Sequence, residues 1–210
     1  MFPILLDLRN QKCLVVGGGN VAVRKVLNLL ECGADLKVVS LLPDQKLVEL
    51  AARKTILLEE RAFRASDVNG CFLVFAATND EEVNQLVFEI CEKESILVNV
   101  VDEPERCRFF VPSTLRRGSL TVSVSTEGKS PLLARKMREN LENNIGFEYE
   151  VYTDLLGEAR KMVKLRFANE SVRKGLFEEI QKIDVLPLIK QGKKNEAKER
   201  ILQCIYSWQE

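Results

Sequence analysis

The stretch that decides the fold is Lys12-Cys13-Leu14-Val15-Val16-Gly17-Gly18-Gly19-Asn20-Val21-Ala22, close to the amino terminus. Its apolar residues from Cys13 to Val16 are typical of a buried parallel strand, and the run breaks directly into glycines. The residues that follow carry apolar side chains at the spacing of one helical face: Val23, Val26, Leu27 and Leu30. The sequence therefore predicts a strand, a tight glycine turn and a helix in succession.

Three residues of this stretch, Gly17, Gly19 and Ala22, fill the pattern G-x-G-x-x-G/A. In that pattern the first glycine makes the turn and the second admits a pyrophosphate close to the backbone. The third small residue lets the helix pack tightly on the strand. The phosphates would lie against unpaired N–H groups at the positive end of the helix dipole. The strand before and the helix after favour a dinucleotide site, and a purely structural glycine turn is the alternative.

Composition narrows the classes of protein that fit. The chain has 210 residues, a formal net charge of zero and 46% apolar residues, which suits one full globular domain and a smaller second one. Balanced charge gives no bulk electrostatic argument for nucleic acid or membrane as a partner. No apolar run approaches the ~18 residues of a spanning helix, and Met1–Asn10 has an acid too early for a signal peptide. The six cysteines include no C-x-x-C pair, which favours a reducing compartment and a cytoplasmic protein.

The chain contains no histidine. This excludes Ser-His-Asp and Cys-His catalysis, metal sites of the H-E-x-x-H type and imidazole acid–base chemistry. Proton transfer near neutral pH must therefore use a carboxylate, a lysine, a tyrosine, a cysteine or water, and we expect no metal centre.

Strand and helix patterns alternate over residues 1–104, which predicts an α/β fold, a Rossmann-type doubly wound parallel sheet. Further strands are predicted at Leu36–Ser40, Thr55–Glu59, Cys71–Ala77 and Ile96–Val101. Ligands of such sheets bind beyond the carboxyl ends of the strands. The expected site therefore combines Gly17–Val21, Ser40–Leu42, Thr78-Asn79 and Asp102.

The end of the second strand lacks the usual acid that binds a ribose 2′-hydroxyl, because Ser40-Leu41-Leu42 stands there. Ribose recognition must then use backbone groups or the Ser40 hydroxyl. No arginine is present to hold a 2′-phosphate, so NAD is favoured modestly over NADP.

Asp102 follows the last predicted strand of the sheet in Asn99-Val100-Val101-Asp102-Glu103-Pro104. With no histidine available, a partly desolvated aspartate is a plausible acid–base group. The alternative is a turn residue that caps its own backbone before Pro104.

Residues 105–145 differ in character. Strands are predicted at Phe109–Thr114 and Ser119–Ser125, with a turn at Arg116-Arg117-Gly118, and a helix begins at Ser130-Pro131. The dense positive charge of this region is either a solvated face or a cleft for a polyanionic small molecule. Residues 146–210 are predicted to be a helical region.

The motifs together resemble those of the precorrin-2 dehydrogenase family, the stand-alone relatives of the amino-terminal module of sirohaem synthase. The resemblance rests on the glycine stretch with Arg24-Lys25, on Ala76-Ala77-Thr78-Asn79-Asp80 and on Asn99-Val100-Val101-Asp102-x-Pro104. It also includes Phe2-Pro3-Ile4 with Leu8-Arg9 and Ser125-Thr126-x-Gly128-Lys129-Ser130-Pro131. It covers residues 1–140 in family order.

The resemblance implies oxidation of precorrin-2 to sirohydrochlorin with NAD⁺ on the route to sirohaem, with Asp102 as the catalytic residue. It implies NAD contacts at Asn20, Val21, Leu41 and Leu42, to which the sheet edge adds Gly17, Gly19, Ala22, Ser40 and Thr78. It also implies a homodimer built through residues 105–145 and, in some members, insertion of Fe²⁺ or Co²⁺ into sirohydrochlorin.

The polyanion cleft thereby gains a candidate ligand, a tetrapyrrole with eight carboxylates. Its candidate contacts are Arg106, Arg116, Thr126, Lys129, Ser130 and Arg135. Glu127 stands where relatives often have glycine. A chelatase without dehydrogenase activity and an NAD-binding redox regulator are the alternative functions.

Overall fold

The structure is a computed structural model that describes residues 1–208. The chain divides into two compact units, Met1–Val111 and a second unit from Pro112 onward. The boundary lies seven residues beyond the one expected at residue 104, and the separation at residue 145 stays a prediction.

The first unit is a five-stranded parallel sheet with helices. The strands are β1 (Lys12–Val16), β2 (Asp35–Ser40), β3 (Leu57–Glu60), β4 (Leu73–Ala76) and β5 (Leu97–Val100), in the order β3-β2-β1-β4-β5. The helices are α1 (Asn20–Glu31), α2 (Gln45–Ala52) and α3 (Glu81–Lys93). Short 3₁₀ turns occur at Ala65–Val68 and Pro104–Arg106. The predicted Rossmann-type sheet is confirmed.

Both faces of the sheet are covered because successive residues of a strand point to opposite faces. On one face Cys13 and Val15 pack in a buried cluster with apolar residues of α1 and α2. On the other face Leu14 and Val16 pack with Val87 and Cys91 of α3. These four residues of β1 are at most 2% exposed, which explains why the strand is a continuous apolar run rather than an alternating one.

The connection from β3 to β4 reverses the direction in which strands are added. β2 and β3 extend the sheet on one side of β1, whereas β4 and β5 extend it on the other. A crevice forms at the carboxyl ends of the strands at such a reversal, and ligands of doubly wound sheets bind there. The end of β1, where Gly17 follows Val16, therefore lies at the expected position for a ligand.

The second unit begins with an antiparallel hairpin, β6 (Ser113–Arg117) and β7 (Leu120–Val124), which packs against α4 (Pro131–Asn144). The strand predicted at Phe109–Thr114 begins later, and of the predicted turn Arg116-Arg117-Gly118 only Gly118 lies in the turn. Arg116 pairs with Thr121 and Arg117 with Leu120, so the turn is Gly118-Ser119. Pro112 has no N–H to donate to a ladder, and Gly118 has the positive φ of 54° that a tight turn requires.

The remainder of the second unit is helical, as predicted. It contains α5 (Glu148–Arg166), α6 (Glu170–Lys182), α7 (Leu186–Lys190) and α8 (Lys194–Ser207). Their apolar faces share one buried cluster, centred on Leu155, Val163, Leu176 and Ile205. Such a cluster supplies the packing that stabilises short helices.

Asp67 joins β2 and the end of β3 to the 3₁₀ turn Ala65–Val68. Its side chain is 2% exposed and its carboxylate accepts hydrogen bonds from Lys37 Nζ (2.8 Å), Arg61 Nη2 (2.6 Å) and the Arg64 N–H (2.8 Å). The Arg61 hydrogen bonds are the largest cause that holds the pKa of Asp67 well below its usual range.

We expect Asp67→Asn to lower the free energy of unfolding by about 2–3 kcal/mol near neutral pH, because Lys37 and Arg61 lose the buried one of their two carboxylate partners and keep only Glu59. A depressed carboxyl pKa contributes stability that is present above the unfolded-state value of ~4 and is lost as the pH falls below it. Urea titrations across that range should therefore show the difference between wild type and variant shrinking in acid. A difference independent of pH would contradict this assignment.

Candidate functional site

The glycine turn has three different environments at its three glycines. Gly17 has a φ of 121°, and a Cβ added to it would lie 2.2 Å from the Ala77 carbonyl oxygen of the neighbouring strand. Its N–H donates to the Val39 carbonyl at 2.9 Å. By contrast, a Cβ on Gly19 would meet nothing within 4 Å. Gly17 thus closes the turn against the sheet, whereas Gly19 borders open space at the start of α1.

Gly18 matters as well, although the sequence pattern gave it no role. A Cβ there would lie 2.3 Å from Ser40 Oγ and 2.6 Å from the Leu42 carbonyl oxygen. The Gly18 carbonyl accepts a hydrogen bond from the Asp44 N–H at 2.8 Å. The loop after β2 therefore lies directly against the glycine turn, and only glycine fits between them.

Ser40 is a buried residue that stabilises the loop after β2. It is 8% exposed, and its hydroxyl oxygen accepts a hydrogen bond from the Leu42 N–H at 3.2 Å. Leu41 and Leu42 are 69% and 87% exposed. Of the two ways of binding ribose left open by the sequence, this geometry favours the backbone of the loop over the Ser40 hydroxyl.

Thr78 follows β4 and is fixed by Asn84, a residue that sequence reasoning missed. The Thr78 hydroxyl and Asn84 Oδ1 are 2.8 Å apart, and Asn84 Nδ2 donates to the Thr78 carbonyl at 3.1 Å. Asn84 is 5% exposed. Asp80 caps α3 by accepting hydrogen bonds from the Glu82 and Val83 N–H groups.

Asp102 follows β5 at the same edge and has a left-handed backbone, with a φ of 63°. Aspartate adopts this conformation more readily than most residues, and such positions concentrate at functional sites. The adjoining Val101 N–H donates to the Ala76 carbonyl at 2.9 Å, which ties the turn to β4. The Asp102 side chain is exposed. Its role as an acid–base group stays a prediction.

The six candidate substrate residues fall in both units. Arg106 lies in the first unit and is paired with Glu103. In the second unit, Thr126, Lys129, Ser130 and Arg135 gather at the start of α4, and Arg116 lies on β6. The Ser130 hydroxyl caps α4 by accepting from the Leu133 N–H at 3.3 Å, and Arg135 contacts Glu139 at 2.8 Å.

The turn before α4 has a left-handed backbone at Glu127, the position where this chain departs from the family pattern. Glu127 has a φ of 53° and Gly128 a φ of 81°. The Lys129 N–H donates to the Thr126 carbonyl at 3.0 Å and closes the turn. Glycine is the natural residue at a positive φ, so a glycine at position 127 in relatives would meet the same backbone requirement.

Within residues 1–208, no group of three or more Cys, Asp or Glu side chains is arranged to hold a metal ion. In the same range, no helix combines the length and the apolar composition needed to cross a membrane.

Comparison with known proteins bears on this site directly. A family model described as putative NAD(P)-binding matches residues 4–113, more than half of the chain and nearly the whole first unit. The chain belongs to this NAD(P)-binding family. A second model, described as sirohaem biosynthesis protein central, matches residues 117–144 of the second unit. The resemblance inferred from the sequence motifs is thereby confirmed.

Relatives of this NAD(P)-binding chain include two bacterial siroheme synthases. That of Thioalkalivibrio sulfidiphilus is 40% identical over 204 residues and that of Vesicomyosocius okutanii 35% over 196. The chain spans 42% of the length of each. A solved structure titled SirC, precorrin-2 dehydrogenase, is similar over 99% of this chain and all of that one, with a TM-score of 0.79 and 28% identity.

The residues present fit an NAD(P) dinucleotide. No side chain caps the amino terminus of α1, so its first N–H groups are available to a pyrophosphate. Gly19 leaves the approach open, while Gly17 and Gly18 draw the turn close to β4 and to the loop after β2. Gly17, Gly19, Asn20, Val21 and Ala22 would hold the pyrophosphate half of the cofactor, and Leu41 and Leu42 the adenosine side.

Proposed function

We propose that the chain catalyses the NAD⁺-dependent dehydrogenation of precorrin-2 to sirohydrochlorin. The similarity to SirC carries this proposal, because it extends over both units and not only over the dinucleotide-binding one. The matches to siroheme synthases cover nearly the same part of this chain and support the same pathway step.

NAD⁺, when bound, supplies a hydride acceptor, and the chain must supply positioning and a place for the proton. The glycine turn holds the cofactor at the reversal of the sheet, beside the ends of β4 and β5. Asp102 lies at the end of β5, so its carboxylate accepts the proton as the substrate loses hydride. Arg106, in the turn after Asp102, would bind a carboxylate of the tetrapyrrole and orient it. Arg116, Lys129 and Arg135 are the candidate carboxylate contacts of the second unit.

NAD is our choice over NADP because neither Leu41 nor Leu42 can pair with a 2′-phosphate. Anaerobic initial rates with precorrin-2 should show a higher kcat/KM with NAD⁺ than with NADP⁺. Equal rates with both cofactors would contradict this preference, and rates with neither would contradict the dehydrogenase.

We also infer that the chain forms a homodimer. On α4, Leu132, Leu133 and Met137 are 77%, 49% and 47% exposed. Exposed apolar side chains grouped on one element are typical of an interaction surface. Sedimentation equilibrium of wild type should give twice the chain mass, and Leu132→Glu with Met137→Glu should shift the equilibrium towards monomer.

The family resemblance also implies a test with ferrous iron as a second substrate, since some members of the family insert it into sirohydrochlorin. Adding Fe²⁺ after complete dehydrogenation tests this activity: a change of the sirohydrochlorin spectrum that depends on the enzyme indicates chelation. A spectrum that changes equally without enzyme indicates spontaneous insertion only.

A further inference from the structure

Asn99 is a buried polar residue on β5, three positions before Asp102, and is 8% exposed. Its Nδ2 donates to the Phe109 carbonyl at 2.9 Å and to Cys107 Sγ at 3.3 Å, so both hydrogens of the amide have partners. The two acceptors lie ten and eight residues further along the chain. A buried amide with such bonds fixes the segment that it contacts, because a lost bond leaves a buried donor unsatisfied.

The segment that follows β5 returns alongside this strand. The Arg108 N–H donates to the Val98 carbonyl at 2.9 Å. The hydrogen bond between Asn99 and Phe109 joins the next residue of the strand to the next residue of the segment. The chain between Asn99 and Arg108, which includes Asp102, therefore forms a loop that these two hydrogen bonds close at its base.

Cys107 connects Asn99 to the turn that carries Asp102. The Glu103 N–H donates to the Val100 carbonyl at 3.3 Å, which closes a turn with Asp102 in its third position. The Cys107 thiol lies 3.2 Å from the Val100 carbonyl oxygen and 3.3 Å from that of Glu103. Burial raises the pKa of this thiol, so it keeps the proton that it donates to one of these carbonyls. Asn99, by holding Cys107, thus restrains both ends of the turn.

Asp102 needs such support because its φ of 63° lies in the left-handed region. A residue other than glycine keeps this conformation only where the surrounding contacts over-determine it. The Val101 N–H, which donates to the Ala76 carbonyl, restrains the turn from β4. Cys107 and Asn99 restrain it from the other side. A turn without these contacts could leave the left-handed conformation, and the carboxylate would then point in another direction.

We infer that Asn99 is a positioning residue for the reaction at Asp102, because its amide holds the loop after β5 so that the turn presents the carboxylate in one direction. The inference rests on the proposed dehydrogenase function. A proton acceptor acts at hydrogen-bond distance from the proton that it takes, and a displacement of about 1 Å can cost roughly 100-fold in rate. Asn99 acts through Cys107 and the turn rather than by touching the substrate.

A double-mutant cycle tests whether Asn99 acts through Asp102. We expect Asn99→Ala alone to lower kcat by about 10- to 100-fold, because the carboxylate loses its fixed direction. In the Asp102→Asn background the same change should lower kcat by less than about twofold, since no carboxylate is left to position. The Kd for NADH should be the same in all four proteins. Equal losses in both backgrounds, or a wild-type kcat in Asn99→Ala, overturn the inference.

Cys107 offers a second pair of variants that leaves β5 unchanged. Cys107→Ala removes the link between Asn99 and the turn and should lower kcat by about tenfold. Cys107→Ser keeps a group that accepts from Asn99 and donates to a carbonyl, so most of the lost rate should return. The matched control is Cys204→Ala, which removes a half-buried thiol from α8 and should leave kcat unchanged. Equal losses in the alanine and serine variants of Cys107 overturn the inference.

Amide hydrogen exchange without substrate tests the same support. The N–H groups of Glu103 and Arg108 should exchange at least about tenfold faster in Asn99→Ala than in wild type, whereas those of β1 should keep their wild-type rates. Unchanged exchange at Glu103 and Arg108 overturns the inference. If wild type produces no NADH from precorrin-2, the proposed function fails, while these exchange rates still decide whether Asn99 holds the loop.

Discussion

Asp102→Asn lowers kcat for precorrin-2 oxidation by about 10²- to 10⁴-fold, the usual contribution of a positioned acid–base group. Asparagine tolerates the left-handed backbone found at this position (φ 63°). The side chain is exposed, so the free energy of unfolding should change by no more than about 0.5 kcal/mol. The loss therefore reports chemistry rather than folding.

The matched control is Glu105→Gln, which neutralises another exposed carboxylate three residues away in the Pro104–Arg106 turn. It should retain the wild-type kcat. Fluorescence titration with NADH should give the same Kd for wild type and both variants, since neither residue belongs to the glycine turn. A wild-type kcat in Asp102→Asn would show that the proton goes elsewhere.

Gly17→Ala should lower the stability of the fold, whereas Gly19→Ala should lower the affinity for NADH. At Gly17 the new Cβ would lie 2.2 Å from the Ala77 carbonyl oxygen, and the backbone has a φ of 121° that alanine rarely adopts. Backbone strain and overpacking together should lower the free energy of unfolding by about 2–5 kcal/mol. Ala77 O belongs to the backbone of the adjoining strand end and cannot move away without disturbing the sheet.

At Gly19 the added Cβ meets nothing within 4 Å, and φ is −81°. The free energy of unfolding should change by less than about 1 kcal/mol. The methyl group would instead occupy the approach to the N–H groups of α1, so the affinity for NADH should fall by about tenfold or more. Urea denaturation and NADH titration of both variants measure the two effects separately. Full NADH affinity in Gly19→Ala would contradict this placement of the pyrophosphate.

The sheet could be predicted because the residue pattern of each strand matches the environment that the folded sheet gives it. Cys13–Val16 must be apolar on both faces since helices cover both, and Gly17 is needed at a backbone position with positive φ. The first strand of the hairpin was predicted too early in the chain, because apolar residues lie on both sides of Pro112. Arg116 and Arg117 were predicted to lie in the turn, but both form pairs in the ladder.

Parts of the candidate site were hidden from sequence reasoning for a different reason. Gly18 acts through a close approach to Ser40 of the next strand, and Asn84 through hydrogen bonds to Thr78 six residues before it. No periodicity carries such contacts. The run of three glycines was the one available signal for Gly18, since the dinucleotide pattern requires only the first and third.

The central claim is tested most directly by an anaerobic reaction of the wild-type chain with precorrin-2 and NAD⁺, in which NADH and sirohydrochlorin are quantified in the same samples. The account predicts that both appear together in a one-to-one ratio and that Asp102→Asn suppresses both equally. Bound NADH without any conversion of precorrin-2, or sirohydrochlorin formed without NADH, would contradict it.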